Sequence, residues 1–275
     1  MRTVFEIFPK VYNEEDYSLL CELSYEGISC SLKKISDGKY CGVGVFLFDK
    51  NTSKTGLHVA LQILFNSHPL FSKNFPKSTI VYSIPESVLV PFSLFDSENS
   101  SNILNLMYGD LYGNGHVNTD IITEASYYNC YRIPAEVSKV LDQQFPNANK
   151  WHQYSALIGR HSSKENKMYA IFYSYKIVVY VFIEGKCHLM NTFSFQSPED
   201  AAYYLLAVRA HSGVADLPLE LSGFIEKSSY LYNEIHRYFS DITFAALPPL
   251  CEYEEQILSY PSHYFSNLFS LDTCG

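Results

Sequence analysis

In "YSLLCELSYEGISCSLKK", Leu20, Glu22 and Ser24, and then Ile28, Cys30 and Leu32, fall on alternate positions either side of Glu26–Gly27. A period of two predicts paired strands, and the Glu-Gly pair predicts a tight turn between them. "SDGK" marks a second turn, where Asp37 bonds to its own backbone and Gly38 tolerates positive φ; a third strand is expected in "YCGVGVFLFD". Leu57, Ala60, Leu61 and Leu64 are then spaced as one helical face. The β-branched run "STIVYSIP" predicts a buried strand stopped by Pro85.

The same order recurs after residue 167. "KMYAIFYSYKIVVYVFIEGKCHLMNTFSF" reads as three strands with a turn at Glu184–Gly185, followed by the helix "SPEDAAYYLLAVRAH" and the strand "LELSG". The helix start is sharply marked: Ser197 is a good N-cap, Pro198 fits the first turn, and Asp200 reaches back as the acidic half of a capping box. Inside it, Ala202, Leu205, Leu206 and Arg209 form one stripe, and Tyr203, Ala207 and Ala210 a second. Tyr203 and Tyr204 are adjacent, so one packs on the sheet while the other faces solvent or a cleft. "SSYLYNEIHRYF" predicts a last helix and "DITFAAL" a last strand.

Between the repeats, "YNCYRIP" reads as a strand, "AEVSKVLDQQF" as a helix and "WHQYSALIGRH" as a further helical segment. Beyond Pro248–Pro249, an acidic and then aromatic stretch is expected to close over one lobe. The organisation expected is a first lobe over residues 1–125, lobe-completing and crossover elements over 126–167, and a second lobe with the closing segment over 168–275. The expected architecture is an α/β fold of two repeated units, with mixed sheets covered by helices and a cleft between the lobes.

The composition permits such a body. A chain of 275 residues, 47% hydrophobic and 18% charged, is long enough and apolar enough for two cores. Its 23 tyrosines and 19 phenylalanines exceed core needs, which predicts an aromatic contact surface for a protein partner or for self-association. A net charge of −9 argues against nucleic acid and anionic membrane as partners. Glu6 and Pro9 interrupt the only candidate signal peptide, and Lys176 interrupts the longest apolar run, so a cytoplasmic protein without membrane insertion is expected. Seven cysteines without CxxC spacing read as core thiols, and no metal site is expected from them.

The stretches "LSYEGISCSL", "ESVLVPFSLF", "NTFSFQSPEDAAYYLL", "LELSG" and "HYFSNLFSLDTCG" follow in the order of an uncharacterised family of Bacteroidetes proteins, which this chain resembles over nearly its whole length. That family is similar in fold to the actin-like ATPases, including the pilus-assembly members of the superfamily. The resemblance implies two lobes built on duplicated ribonuclease H-like units, and a nucleotide held by two hairpin turns of the form Asp-x-Gly-[Thr/Ser], magnesium-binding carboxylates and a double glycine near adenosine. This sequence departs at each loop. The first turn offers Glu26, Gly27 and Ser29 with the acid displaced; the second offers Ser174, Tyr175 and Lys176 with neither glycine nor acid; the adenosine region has one glycine, Gly223. These five residues, Glu26, Gly27, Ser29, Lys176 and Gly223, are the candidate ligand-binding set, and no catalytic residue is assigned.

Other chemistry is weaker. His152 and His161 fall on opposite helical faces, and "GRHSSKEN" reads as a solvated loop. Asp110, His116 and Asp120 in a glycine-rich stretch read as a flexible surface loop before a cation site. The expectation is therefore a protein of degenerate actin-like fold, non-catalytic or weakly ligand-binding, acting through protein contacts. ATP with magnesium is disfavoured as a cofactor; the alternatives are a divergent ATPase or small-molecule kinase, and a switch that binds nucleotide without turnover. A bulky side chain at Gly27 is expected to abolish any nucleotide binding.

Overall fold

The computed structural model describes residues 1–49, 56–109, 115–159 and 164–272. The chain divides into two compact units, the first formed by Met1–Gly159 with Cys251–Ile257, the second by Arg160–Leu250 with Leu258–Gly275. Among the described residues no helix is long and apolar enough to cross a membrane.

In the first unit, β1 (Arg2–Ile7), β2 (Tyr17–Ser24), β3 (Gly27–Lys34), β4 (Tyr40–Leu47) and helix α1 (Leu57–Ser67) precede β5 (Lys77–Tyr82). Then come β6 (Ser87–Pro91), α2 (Ser100–Tyr108), β7 (Gly115–Ile122), β8 (Tyr127–Pro134), α3 (Ala135–Gln144), β9 (Asn149–His152) and α4 (Gln153–Gly159). The main sheet runs β1-β4-β3-β2-β5-β9, and β6, β8 and β7 form a separate three-stranded sheet. Leu57, Leu61, Leu64 and Phe65 of α1 are buried, and they join Leu19, Cys21, Leu23, Ile28 and Cys30 of the hairpin in one apolar core. That face is set by the period of two: residues at odd positions of β2 point into the core, so Leu20, Glu22 and Ser24 point the other way.

The second unit holds β10 (Lys167–Phe172), β11 (Lys176–Ile183), β12 (Lys186–Ser194), α5 (Pro198–Ser212), β13 (Leu219–Gly223), α6 (Tyr230–His236) and β14 (Ile242–Phe244). Its sheet order is β12-β11-β10-β13-β14. With β1 set aside, the first unit's sheet has the same order and directions: three antiparallel strands, then two parallel additions. The Glu184–Gly185 turn takes positive φ at both residues, 51° and 77°, the twist that a two-residue hairpin favours.

Helix α5 starts as the sequence requires. Ser197 Oγ accepts from Asp200 N–H at 3.2 Å, and the Asp200 carboxylate accepts from Ser197 N–H at 3.1 Å. Ser197→Ala is expected to cost the second unit about 1 kcal/mol, read as a lower urea midpoint at unchanged slope. Its buried residues are Ala201, Ala202, Leu205, Val208 and Ser212: Ala202 and Leu205 of the first expected stripe are among them, whereas Tyr203, Ala207 and Ala210 of the second are exposed. Tyr204 stacks on Phe193 of β12 at 4.7 Å between ring centroids, while Tyr203 is 66% exposed.

Several sequence expectations change. The hairpin turn is Tyr25–Glu26, one residue earlier than expected, because Ser24 pairs with Gly27 inside the ladder. Trp151 and His152 end a strand before the helix starts, since β9 pairs with β5 as far as Tyr82 opposite His152. The glycine-rich stretch is β7 from Gly115 onward; Asp110 lies outside the described residues, as do residues 160–163 of "GRHSSKEN", His161 among them. The closing segment is divided: Tyr40 N–H donates to Glu252 O and Glu254 N–H to Tyr40 O, Tyr40 stacks on Tyr253, and Lys39 pairs with Glu254 at 2.9 Å, all within the first unit. Helix α7 (Glu255–Leu258) follows, and α8 (Ser266–Leu271) packs within the second unit.

Candidate functional site

In open α/β sheets, ligands bind outside the carboxyl ends of parallel strands. In the first unit those ends are Ser24 on β2, Tyr82 on β5 and His152 on β9. Glu26, Gly27 and Ser29 sit beside the first of them. Ser29 lies opposite Glu22, and Gly27 opposite Ser24, so these four share the sheet face turned from the core.

This face is polar and buried. Glu22 is 4% exposed and accepts from Gln153 Nε2 at 3.0 Å; Gln153 Oε1 in turn accepts from Ser83 Oγ at 2.6 Å. Ser83 N–H donates to Leu23 O, and the Tyr25 hydroxyl donates to buried Glu86 at 2.9 Å. Sequence reasoning missed Glu22, Glu86 and Gln153. The alternation that put Glu22 on the face away from the core was the available signal.

The corner itself is closed by protein groups. Glu26 N–H donates to Ser24 Oγ at 3.2 Å, and Glu26 O accepts from Phe48 N–H at 2.8 Å. Gly27 is required for packing rather than for the turn: a Cβ there would stand 2.2 Å from Phe46 O and 3.0 Å from Leu47 Cα on β4. A bulky residue at Gly27 therefore disrupts the sheet whether or not any ligand binds, and loss of binding on that substitution carries no information about the turn.

In the second unit the corresponding corner joins β10 to β11. Tyr173 N–H donates to Lys176 O and Phe195 N–H to Tyr175 O. Lys176 is buried, with its ammonium 4.4 Å from the centre of the Tyr173 ring, a cation–π contact that shields the charge. The Tyr173 hydroxyl accepts from Asn267 Nδ2 at 3.1 Å. Gly223 ends β13 with φ +79°, and a Cβ there would meet Phe172 O at 2.1 Å. Behind it, His263 Nε2 donates to Ile225 O at 2.8 Å.

Burial holds the His263 imidazole below its ordinary 6.5, although the Ile225 carbonyl acts in the opposite sense. With the folded value depressed, the unfolded chain binds more protons between the two values. The stabilisation is complete above 6.5 and is lost as pH falls through the folded value. His263→Gln is expected to flatten the decline in stability below pH 6.5; parallel urea-midpoint profiles for the two proteins would refute this.

A second polar cluster lies in the first unit. The Asp120 carboxylate, 6% exposed, accepts from Tyr131 OH at 3.0 Å, Ser155 Oγ at 2.6 Å and His152 N–H at 2.8 Å. Asn129 Nδ2 donates to Ser155 Oγ, and Ser87 Oγ to Asn129 Oδ1. His152 donates from Nε2 to Ile84 O and accepts at Nδ1 from Tyr154 N–H, which fixes a neutral imidazole between backbone groups. Asp120 is thus an internal tie between β7, β8 and α4, not part of a surface loop, and His116 is exposed. Among the described residues, no three His, Cys, Asp or Glu side chains gather as a metal site.

With this topology and these corners in view, comparison with known proteins identifies the lineage. Residues 9–242 match the family described as protein of unknown function, DUF3822. The chain belongs to that family. None of the curated proteins matches it. Among solved structures, this DUF3822 chain is similar to a Bacteroides thetaiotaomicron protein with actin-like ATPase fold and unknown function, at 22% identity and TM-score 0.77, covering 95% of this chain and 97% of that one. It is also similar to a chain of the PilM-PilN type IV pilus biogenesis complex (8% identity, TM-score 0.62, 93% and 97% covered). A third similar structure is the ethanolamine utilization protein EutJ from Carboxydothermus hydrogenoformans (9% identity, TM-score 0.53, 98% and 93% covered). At these identities the likeness establishes the fold, which is that of the actin-like ATPases.

Proposed function

We propose that this DUF3822 protein is a non-catalytic, actin-like-fold module of the cytoplasm that acts by binding another protein. The observation that carries this reading is an exposed apolar patch on the three-stranded sheet. Phe92 and Phe95 pack against the Tyr128 ring at 4.7 and 3.8 Å, Ile121 pairs with Tyr128 across the β7–β8 ladder, and Leu94 stands between the two phenylalanines in sequence. Leu94 is 73% and Ile121 58% exposed. Aromatic and aliphatic side chains grouped this way suit the desolvated centre of an interface.

The corners favour the same reading. A phosphate loop offers free backbone N–H groups; here Glu26 N–H is taken by Ser24, and Tyr173 N–H by Lys176. The PilM relative was solved with a protein partner, PilN, so the fold accommodates such a role. The aromatic surplus divides by type: among the described residues the well-exposed rings are Tyr203, Tyr230, Tyr238, Tyr175 and Tyr260 in the second unit and Phe92 in the first, whereas most phenylalanines are in the cores.

Two measurements test the reading together. A thermal-shift titration with Mg-ATP is expected to leave the melting temperature unchanged, and no phosphate release is expected. A photoreactive residue at position 94 is expected to give a covalent adduct with a second polypeptide in the native cell. A saturable Mg-ATP shift, or no adduct at 94, would overturn it.

A further inference from the structure

We propose that Cys21 and Cys30 are a peroxide-oxidisable pair, and that their disulfide staples the β2–β3 hairpin beneath the Tyr25–Glu26 corner. The two residues are direct Cα partners in the antiparallel ladder, three pairs in from the Ser24–Gly27 pair that closes the turn. Ladder pairs alternate between hydrogen-bonded and non-hydrogen-bonded sites. Counting from the closing pair makes Cys21 and Cys30 a non-hydrogen-bonded pair, the class whose Cα atoms approach to about 4.5 Å. That separation is within the span a disulfide bridges. Both side chains point into the same core, and the sulfurs are 3.3 Å apart.

The reaction balances with hydrogen peroxide as oxidant. One thiol, as thiolate, attacks a peroxide oxygen; the O–O bond breaks, and the departing hydroxide takes the proton and leaves as water. The resulting sulfenic acid is attacked by the neighbouring sulfur; the S–O bond breaks, the S–S bond forms, and a second water leaves. Two thiols lose two electrons, and one peroxide becomes two waters.

Burial sets the rate. Neither residue has measurable exposure, and burial, reinforced by the adjacent Cys21, raises the Cys30 thiol well above its ordinary value. Peroxide therefore reaches the two sulfurs only when the hairpin lifts from its core, so the pair is slow to react in the closed protein and responds to opening. Once made, the cross-link joins the strands that present Glu22 and Ser29 on the opposite face, and it stiffens the corner without touching it. This inference is independent of whether the corner binds anything.

The test uses the full chain, reduced and then treated with hydrogen peroxide in native buffer and in urea below the unfolding transition. After alkylation and trypsin, the peptide Val11–Lys33 carries both cysteines and no other. The expected product is that peptide lighter by two hydrogens and free of alkyl groups, formed several-fold faster in the sub-denaturing urea, with the oxidised protein melting at a higher temperature. Cys21→Ser should abolish the lighter peptide, leaving Cys30 alkylated, and Cys41→Ser should leave the reaction unchanged. Sulfinic acid at either position, persistence of both free thiols under all conditions, or a preferred link to another cysteine would overturn the proposal.

Discussion

Gly223→Ala is expected to unfold the second unit at markedly lower denaturant than the wild type. An L residue held at φ +79° costs about 1–2 kcal/mol. Forcing a methyl into packed space costs about 1–3 kcal/mol, occasionally more. Here the obstacle is the carbonyl of Phe172, 2.1 Å from the new carbon, and not the end of a flexible side chain. Phe172 is fixed on both sides, paired with Ile177 and with Gly223 itself, and its carbonyl also accepts from Phe224 N–H. The strands cannot part without breaking that ladder, so the loss falls toward the upper end of about 2–5 kcal/mol. Equilibrium urea unfolding followed by Trp-independent circular dichroism reads it directly. A midpoint within error of wild type would mean that β13 shifts freely, contrary to the geometry. Because the penalty is paid without any ligand, a single glycine here is weak evidence for an adenosine site.

Asp120→Ala is expected to be comparably damaging in the first unit, at about 3–5 kcal/mol. It leaves the Tyr131 hydroxyl, the Ser155 hydroxyl and the His152 amide without their acceptor in a buried setting. The Asn129 and Ser87 links behind Ser155 lose their anchor as well. Asp120→Asn tests the charge separately. Burial raises the Asp120 carboxyl above its ordinary 3.8, against the pull of its three donors. A raised folded value means the native state holds more protons in the window above 3.8; that contribution is complete below 3.8 and is lost as pH rises through the folded value. The cost of Asp120→Asn should accordingly shrink as pH rises across this window. A cost that grows with pH would reverse the assignment.

The elements that sequence periodicity located are those whose neighbours demand it. The hairpins of both units alternate because one face meets a helix-covered core, and α5 begins at Ser197 because its capping box is local. What periodicity missed is specified from a distance. Strand β1 is an edge, largely exposed, and its partner β4 lies some 40 residues away. Strand β7 reads as a polar loop, "GHVNTDII", because Asp120 takes an inward position that only Tyr131, Ser155 and His152 make tolerable. The site followed the same division. Glu26, Gly27 and Ser29 could be placed together from the sequence because they adjoin one turn, while Gln153 meets Glu22 across 131 positions of sequence. Gly27 was legible as a special position but not for its reason, since nothing near it in sequence announces the approach of Phe46.

The return of Cys251–Ile257 to the first unit has a practical corollary for dissecting this molecule. Neither half is a contiguous gene fragment: a piece stopping at residue 159 lacks the rung that Glu252 and Glu254 add beside Tyr40, and a piece starting at 160 carries that rung with nothing of its own to grip. Independent folding of the halves is best sought by supplying the excised ribbon in trans, or by grafting it through a flexible linker.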